Sequence, residues 1–289
     1  MKDQAERLRY RIQQSQGARK ARTIAVVSGK GGVGKTNVTI NFALMLCEQH
    51  QQVLIIDMDI GMGNIDVLLG RTSKYAFPDL FHKDIPIRDM IELGPNSLSY
   101  IAGGSGLTSI FQMDARKFER FETAFESLLD QYDYILFDMG AGVNPDSLGL
   151  ISSADEAFVV TTPEPTSITD AYAMMKHVIR HNPDLPISIM VNRSFQKQRD
   201  STYMRLHTVV KNFLHKDVSL IGTIPDDRQV MKAVTRQTPF VLSAPNSQAS
   251  AAIHEAATNY LKRRQGEPTE AKSSTFLSKL KRMVFERSL

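Results

Sequence analysis

The chain alternates between short apolar runs and longer amphipathic segments. Seven runs are apolar enough for strands, and several are apolar without interruption, which is typical of strands covered on both faces of a parallel sheet. These runs are residues 23–27, 53–56, 98–102, 134–137, 157–161, 187–191 and 219–224. Segments with helical spacing lie between them, at residues 35–49, 114–130, 166–181, 201–214 and 247–263. The pattern predicts an α/β fold with a doubly wound, mostly parallel sheet over residues 22–263.

The two ends of the chain differ from this body. Residues 1–21 form a polar, basic arm, and residues 264–275 have the composition of a mobile linker. In the last segment, residues 276–289, the apolar residues share one face of a predicted helix that is too short to span a bilayer. This face consists of Phe276, Leu277, Leu280, Met283 and Val284. Because basic residues occupy other positions, we expect the helix to lie in an anionic membrane interface. Docking on the body or on another protein is the alternative.

Composition and charge narrow the range of functions. The net charge is +4, but both ends are basic and the body is acidic, so each end suits an acidic surface. The acidic body and the apolar tail argue against a nucleic-acid partner. The single cysteine, Cys47, excludes an internal disulfide and a Cys-rich metal site. No apolar run is long enough to span a bilayer, and the first residues lack the apolar core of a secretory signal. We therefore expect a cytoplasmic protein.

The strongest chemical signal is a phosphate-binding loop between a predicted strand and a predicted helix. Residues 29–36, with the sequence GKGGVGKT, match the pattern G-x-x-x-x-G-K-[ST]. Glycines let backbone N–H groups wrap around phosphates, Lys35 is expected to reach the β- and γ-phosphates, and Thr36 to hold Mg²⁺. A separate guanine-specifying Asn-Lys-x-Asp sequence is absent, which favours ATP over GTP. The predicted ligands are ATP and Mg²⁺, bound by Gly29, Gly31, Gly32, Val33, Gly34, Lys35, Thr36 and Asn37.

A second lysine, Lys30, lies inside this loop. Residues 30–36 have the pattern Lys-Gly-Gly-x-Gly-Lys-Thr, which resembles the deviant Walker A motif of the MinD/ParA/NifH family. In that family the extra lysine reaches the nucleotide of the other subunit. The resemblance therefore implies an ATP-bound homodimer in which Lys30 acts across the interface. A cation supplied in this way stabilises the negative charge that develops during phosphoryl transfer.

Aspartates follow two of the predicted strands. Asp57 and Asp59 come after one of them, and Asp138 follows another, as in a Walker B motif. The first segment resembles the family's switch I, which implies that Asp59 orients the attacking water. We expect Asp57 and Asp138 to bind or support the Mg²⁺, and Gly142 to donate its N–H to a γ-phosphate. Gly140 is a departure, because the family often has proline at that position, and it loosens the loop.

The adenine end of the site carries a weaker signal. Asn192 follows a predicted strand, and Pro225 with Asp226 resembles the family's second adenine-contacting loop. An amide fits the paired donor and acceptor of adenine, so we expect these three residues near the base. Formation of a local turn is the alternative explanation for both segments.

The N-terminal arm carries a further resemblance. Residues 3–9 match the motif Asp-Gln-Ala-x-x-Leu-Arg of the flagellar-number ATPases called FlhG, FleN or YlxH, at Asp3, Gln4, Ala5, Leu8 and Arg9. In that family the arm binds and stimulates FlhF, a GTPase of the signal-recognition-particle type. Flagellar C-ring proteins (FliM, FliN or FliY) are implied as further partners, and the C-terminal helix resembles the membrane-targeting helix of MinD. Together these features imply an ATP-driven switch for flagellar number and placement, bound reversibly at the inner face of the cell membrane.

Three other functions are compatible with the core motifs. A MinD-type division-site regulator shares the switch and the membrane helix, but its chains normally lack such an N-terminal arm. A ParA-type DNA-segregation ATPase would bind DNA through basic residues, with affinity that falls steeply as salt rises. A metabolic ATPase of the same superfamily, such as a ligase, would need a small-molecule pocket that the sequence does not indicate.

Overall fold

The computed structural model describes residues 20–59, 64–83, 85–103, 114–195, 201–265 and 276–285. Within these ranges the strands are β1 (Arg22–Val27), β2 (Val53–Met58), β3 (Glu92–Leu93), β4 (Ser99–Ile101), β5 (Tyr134–Met139), β6 (Glu156–Thr161), β7 (Ile187–Ser194) and β8 (Ser219–Pro225). The predicted partner-binding residues of the arm lie outside the described residues, as do positions 266–275 of the predicted linker.

The same ranges contain helices of very different lengths. They are α1 (Lys35–Glu48), α2 (Ile65–Leu68), α3 (Asp79–His82), α4 (Ala115–Gln131), α5 (Pro145–Ser153), α6 (Pro165–His181), α7 (Ser201–Leu214), α8 (Arg228–Thr235), α9 (Phe240–Ser243), α10 (Gln248–Gln265) and α11 (Phe276–Phe285). Short 3₁₀ turns occur at Ile87–Met90 and Pro95–Ser97.

The strands form one sheet in the order β3-β4-β2-β5-β1-β6-β7-β8. Neighbouring strands are parallel except β3 and β4, which pair antiparallel at one edge. Strand β1 lies inside the sheet, between β5 and β6. The loops after β1, β2, β5 and β6 therefore gather at the carboxyl-terminal edge of the sheet, where doubly wound folds bind their ligands. The predicted fold class is confirmed.

Helices cover both faces of the sheet, which explains why the strands are apolar at consecutive positions. All the residues of β2 and β5 are buried. One face packs against α4, α5, α6, α7 and α11. The other packs against α1, α9 and α10, where the rings of Phe42, Phe158 and Tyr260 meet edge to face. A strand that meets water on neither face needs no polar alternation.

The predicted strands and the predicted helices of the body are all present, with ends that shift by up to three residues. The apolar pattern does not predict α5 or α8, and β3 is too short to be detected. Helix α5 begins in a segment rich in Gly and Pro, where Asn144 Oδ1 accepts the Ser147 N–H at 2.7 Å and Ser147 Oγ accepts the Asn144 N–H at 2.9 Å. This reciprocal cap stabilises a helix start that periodicity alone does not reveal.

A buried carboxylate joins several strands at the amino-terminal edge of the sheet, opposite the gathered loops. Glu156, at the start of β6, accepts hydrogen bonds from Arg22 Nη2 and Arg263 Nη2, both at 2.9 Å, and from Ser188 Oγ at 2.6 Å. Burial raises the pKa of Tyr260 well above its usual value, so its hydroxyl, 3.3 Å from Glu156, donates as well. This Glu156 cluster fixes the start of β1 and the last turn of α10 at the same edge.

Replacing Glu156 by Gln would leave two partly buried arginines without their shared counter-charge. We expect Glu156→Gln to lower the free energy of unfolding by about 3 kcal/mol. Asp89→Asn breaks the exposed Arg88–Asp89 pair and is the matched control, with an expected cost below about 1 kcal/mol. Urea unfolding followed by circular dichroism measures both values. Equal effects for the two variants would show that the cluster does not stabilise the fold.

Candidate nucleotide site

The loop between β1 and α1 has the shape of a phosphate cradle. Gly32 and Gly34 have left-handed backbone angles (φ 78° and 86°), which glycine adopts without steric cost. A Cβ added to Gly29 would overlap the backbone of α6 at Asp170, so only glycine fits there. On the first turn of α1, Asn37 Oδ1 accepts a hydrogen bond from Asn41 at 2.7 Å. The N-terminus of α1 adds positive potential at the loop, which suits the phosphates of ATP.

Asp138, at the end of β5, holds the start of α1 in place. Its carboxylate is fully buried and lies 2.8 Å from Lys35 Nζ. It also accepts hydrogen bonds from the hydroxyls of Thr36 at 2.6 Å and Thr39 at 3.0 Å. The structure therefore brings Asp138 together with Lys35 and Thr36 of the phosphate loop, and it adds Thr39, which the sequence did not indicate.

Asp57, on the neighbouring strand β2, binds its own loop. It lies in register with Asp138, and its carboxylate accepts the backbone N–H groups of Asp59 and Asn64 at 2.9 Å and of Ile65 at 3.4 Å. Burial, and next to it the charge of Asp138, raise the pKa of Asp57 to about 6. We predicted Asp57 near the Mg²⁺. The contacts show a carboxylate that anchors the chain on both sides of the switch-like loop.

Asp59 faces the loop that follows β5. Burial raises the pKa of Asp59, and the nearby Lys35 opposes that shift. A Cβ added to Gly140 would lie 3.2 Å from Asp59 Oδ1, so the glycine leaves room for this carboxylate. Gly142 donates its N–H to Ser28 O at 3.0 Å, which ties the same loop to the phosphate loop. This bond would have to open before Gly142 could donate to a γ-phosphate.

Lys30 contacts two side chains from the loop that follows β6. Its Nζ lies 2.7 Å from Glu164 Oε2 and 3.0 Å from Thr166 Oγ1. The sequence motifs do not indicate either partner. The available signal was the Pro- and Thr-rich segment 161–167, which follows a predicted strand at the ligand-binding edge.

Asn192 lies beside the phosphate loop. It is buried, and its Nδ2 donates to Val33 O at 2.8 Å. Pro225 ends β8 in a buried position, and the Asp226 N–H donates to Ser194 O at 3.0 Å. The structure thus brings Asn192 into the site but places its amide nitrogen on the phosphate loop, where it supports the cradle. From the sequence alone, we expect Asn192 to contact only adenine.

The oxygen atoms at this edge suit Mg²⁺. Thr36 Oγ1 and Asp138 Oδ2 lie 2.6 Å apart, and Mg²⁺ prefers hard oxygen donors of this kind. Among the described residues, no group of three or more His, Cys, Asp or Glu side chains forms a site that could hold a metal by itself. Mg²⁺ commonly binds through one or two carboxylates together with substrate phosphates, and the residues present fit that mode.

The C-terminal helix α11 is docked on the body. Its predicted membrane-facing residues Phe276, Leu277, Leu280 and Val284 are buried in the core cluster that contains α4 and α5. The ring of Phe276 lies 5.2 Å from the rings of both Phe125 and Phe137, and Met283 Sδ lies 3.2 Å from His181 Nε2. The structure therefore shows the docked alternative, with the apolar face covered by protein. Within the part of the chain that the structure describes, no helix has the length and apolar character needed to cross a membrane.

Comparisons with known proteins agree with this architecture. A family model described as ParA, the NUBPL iron-transfer P-loop NTPase, matches residues 19–261. The antiactivator FleN of Pseudomonas aeruginosa is 35% identical over 231 residues, which cover 80% of this chain and 82% of FleN. The flagellum site-determining protein YlxH of Helicobacter pylori is 32% identical over 238 residues, covering 81% and 80%. The septum site-determining protein MinD of Pyrococcus horikoshii, complexed with Mg-ADP, superposes with a TM-score of 0.69 at 28% identity, over 86% of this chain and 100% of that one.

The raised pKa of Asp57 predicts how stability depends on pH in the nucleotide-free protein. With a folded pKa of about 6, above the ordinary value of 3.8 for this side chain, Asp57 binds its proton more tightly when folded. Its stabilising contribution is present at low pH and is lost as pH rises through the folded pKa. Between about pH 7 and about pH 5, wild type should gain about 1 kcal/mol of unfolding free energy relative to Asp57→Asn. Urea titrations at each pH measure the difference, and a constant difference would contradict the shift.

Proposed function

Because the chain belongs to the MinD/ParA family of P-loop ATPases, in the group of FleN and YlxH, we propose that it is a dimerising switch that controls the number and placement of flagella. The observation that carries the proposal is a phosphate loop with two lysines in different surroundings. Lys35 is buried against Asp138, whereas Lys30 lies at the surface of the site. These surroundings support a role for Lys35 in binding phosphates within its own chain and a role for Lys30 outside it.

Residues at the carboxyl-terminal edge of the sheet have different roles in ATP hydrolysis. The phosphate loop binds the nucleotide, and Thr36 and Asp138 would hold Mg²⁺, which would neutralise phosphate charge. Asp59 orients the attacking water, and the absence of a side chain at Gly140 leaves room for its carboxylate. Asp57 positions the loop that carries Asp59, because its carboxylate accepts the Asp59 N–H.

Lys30 supplies a positive charge to the nucleotide of a second copy of the chain. Its side chain is partly exposed, so a second copy can reach it from outside. A cation placed against the transferring phosphoryl group stabilises the charge of the transition state. ATP hydrolysis is thereby coupled to formation of the homodimer.

We further propose that α11 exchanges between the body and the membrane. The apolar face that docks on the body would, once released, enter a lipid interface, with Lys281 and Arg282 near anionic headgroups. Helix α5, on which α11 packs, begins directly after the loop that contains Gly140 and Gly142. A rearrangement of that loop would therefore be transmitted through α5 to the surface on which α11 docks. A dimer presents two such helices, which raises the avidity for the membrane.

The arm and the partners are proposed from the family motif. Gln4 and Arg9 act at the active site of an FlhF-type GTPase, with Leu8 on the contact face. The flagellar C-ring proteins FliM, FliN or FliY are the further partners, and the protein is cytoplasmic and reversibly bound at the inner face of the membrane.

A MinD-type division-site regulator shares the ATPase site and the amphipathic helix. The N-terminal arm is therefore the feature that distinguishes a flagellar regulator from a division-site regulator. A ParA-type DNA-segregation ATPase would bind DNA with affinity that falls steeply as salt rises.

Lys30→Ala should abolish the ATP-dependent dimer, because it removes the cation that reaches the second nucleotide. Light scattering with ATP or ADP measures the oligomeric state, and we expect wild type to dimerise only with ATP. Lys83→Ala, which removes another exposed lysine, is the control and should behave as wild type. A Lys30→Ala protein that still dimerises with ATP would contradict the role across the dimer.

The full chain, or a peptide of residues 1–22, should stimulate GTP turnover by an FlhF-type GTPase several-fold. Changing Gln4 and Arg9 to Ala should remove the stimulation, because the side chains directed at the partner's active site are lost. The double variant Arg11→Ala, Gln13→Ala changes the same residue types outside the motif and serves as the control. Absence of stimulation with a properly assembled GTPase dimer would leave a MinD-like ATPase with another partner.

A further inference from the structure

The ion pair between Lys30 and the loop after β6 is exposed to solvent and can break. Lys30 Nζ lies 2.7 Å from Glu164 Oε2 and 3.0 Å from Thr166 Oγ1. The side chains of Lys30 and Glu164 are 31% and 59% exposed. Because water screens an ion pair with this exposure, the pair is weak and can open without unfolding the site.

The backbone around this pair is held more firmly than the side chains. Strands β1 and β6 are adjacent, with Val27 in register with Val159, so the loops after them run side by side. Gly29 packs against the backbone of α6 at Asp170, where no larger residue fits. A change of partner by Lys30 would therefore need only a movement of its flexible side chain, with the loop backbone in place.

Glu164 is directed at Lys30 instead of at its own helix. It immediately precedes α6, yet its side chain makes no capping hydrogen bond to that helix. The Lys30 ammonium lowers the pKa of Glu164, so the carboxylate is ionised at neutral pH. Thr166, in the first turn of α6, is uncharged. Its hydroxyl oxygen accepts a second hydrogen bond from the same ammonium.

We propose that Glu164, assisted by Thr166, is the resting partner of Lys30, and that it must release the lysine before Lys30 can bind the nucleotide of a second copy. This inference rests on the proposed role of Lys30 across the dimer. Each dimer requires two such releases, one in each chain. Glu164 is thus a positioning residue that sets the protein concentration at which ATP produces a dimer.

Glu164→Gln keeps the shape of the side chain and removes its charge. We expect this variant to form the ATP-dependent dimer at a protein concentration about three-fold or more below that of wild type, because two screened ion pairs no longer compete. Sedimentation velocity over a dilution series with a non-hydrolysable ATP analogue measures the midpoint. The affinity of the monomer for a fluorescent ATP analogue should not change. The gap between variant and wild type should narrow as salt rises, and Thr166→Val should shift the midpoint in the same direction by less.

Asp170→Asn makes the same charge change inside α6, the helix that Glu164 precedes, and should dimerise like wild type. A Glu164→Gln protein that dimerises at the same or a higher concentration than wild type overturns the inference. Failure of the proposed function is visible separately, since Lys30→Ala would then dimerise normally, alone and combined with Glu164→Gln. If both proteins with Lys30→Ala stay monomeric while Glu164→Gln matches wild type, only the resting-partner role is lost.

Discussion

The buried ion pair between Asp138 and Lys35 is the constraint on which the site depends. Burying either charge alone is very costly, but at 2.8 Å each compensates the other, and Thr36 and Thr39 complete the hydrogen bonds of the carboxylate. The pair joins β5 to the start of α1, and so it positions the phosphate loop between β1 and α1. It also places a negative charge beside Asp57, which contributes to the raised pKa of that residue. The phosphate loop, Thr36 and Asp57 are thus all arranged around one contact.

Burial gives the two lysines of the phosphate loop different properties. Lys35 is 7% exposed and faces a carboxylate with no exposure, so breaking the pair would leave a buried charge uncompensated. Lys30 faces a solvent-exposed carboxylate, and water takes over the solvation of either partner when they separate. One loop therefore holds one lysine in a buried ion pair and a second lysine in an exposed ion pair.

The strands and the phosphate loop could be predicted because both depend on residues a few positions apart. The contacts of Lys30 with Glu164 and of Asn192 with Val33 join segments more than a hundred residues apart, and neither segment's own pattern indicates the other. The docking of α11 stayed open for a different reason, since an apolar helical face has the same sequence whether it meets lipid or protein. Helix α5 was missed because its reciprocal cap, not its apolar periodicity, defines its start.

The Glu156 cluster holds the first strand and the last turn of α10 together at one edge of the sheet. Arg22 begins β1 and Arg263 lies in the last turn of α10, and both bind the same carboxylate. From there β1 runs to the phosphate loop, a span of about 20 Å for a strand of this length. The start of the body and the phosphate loop therefore lie at opposite ends of one strand, on opposite edges of the sheet.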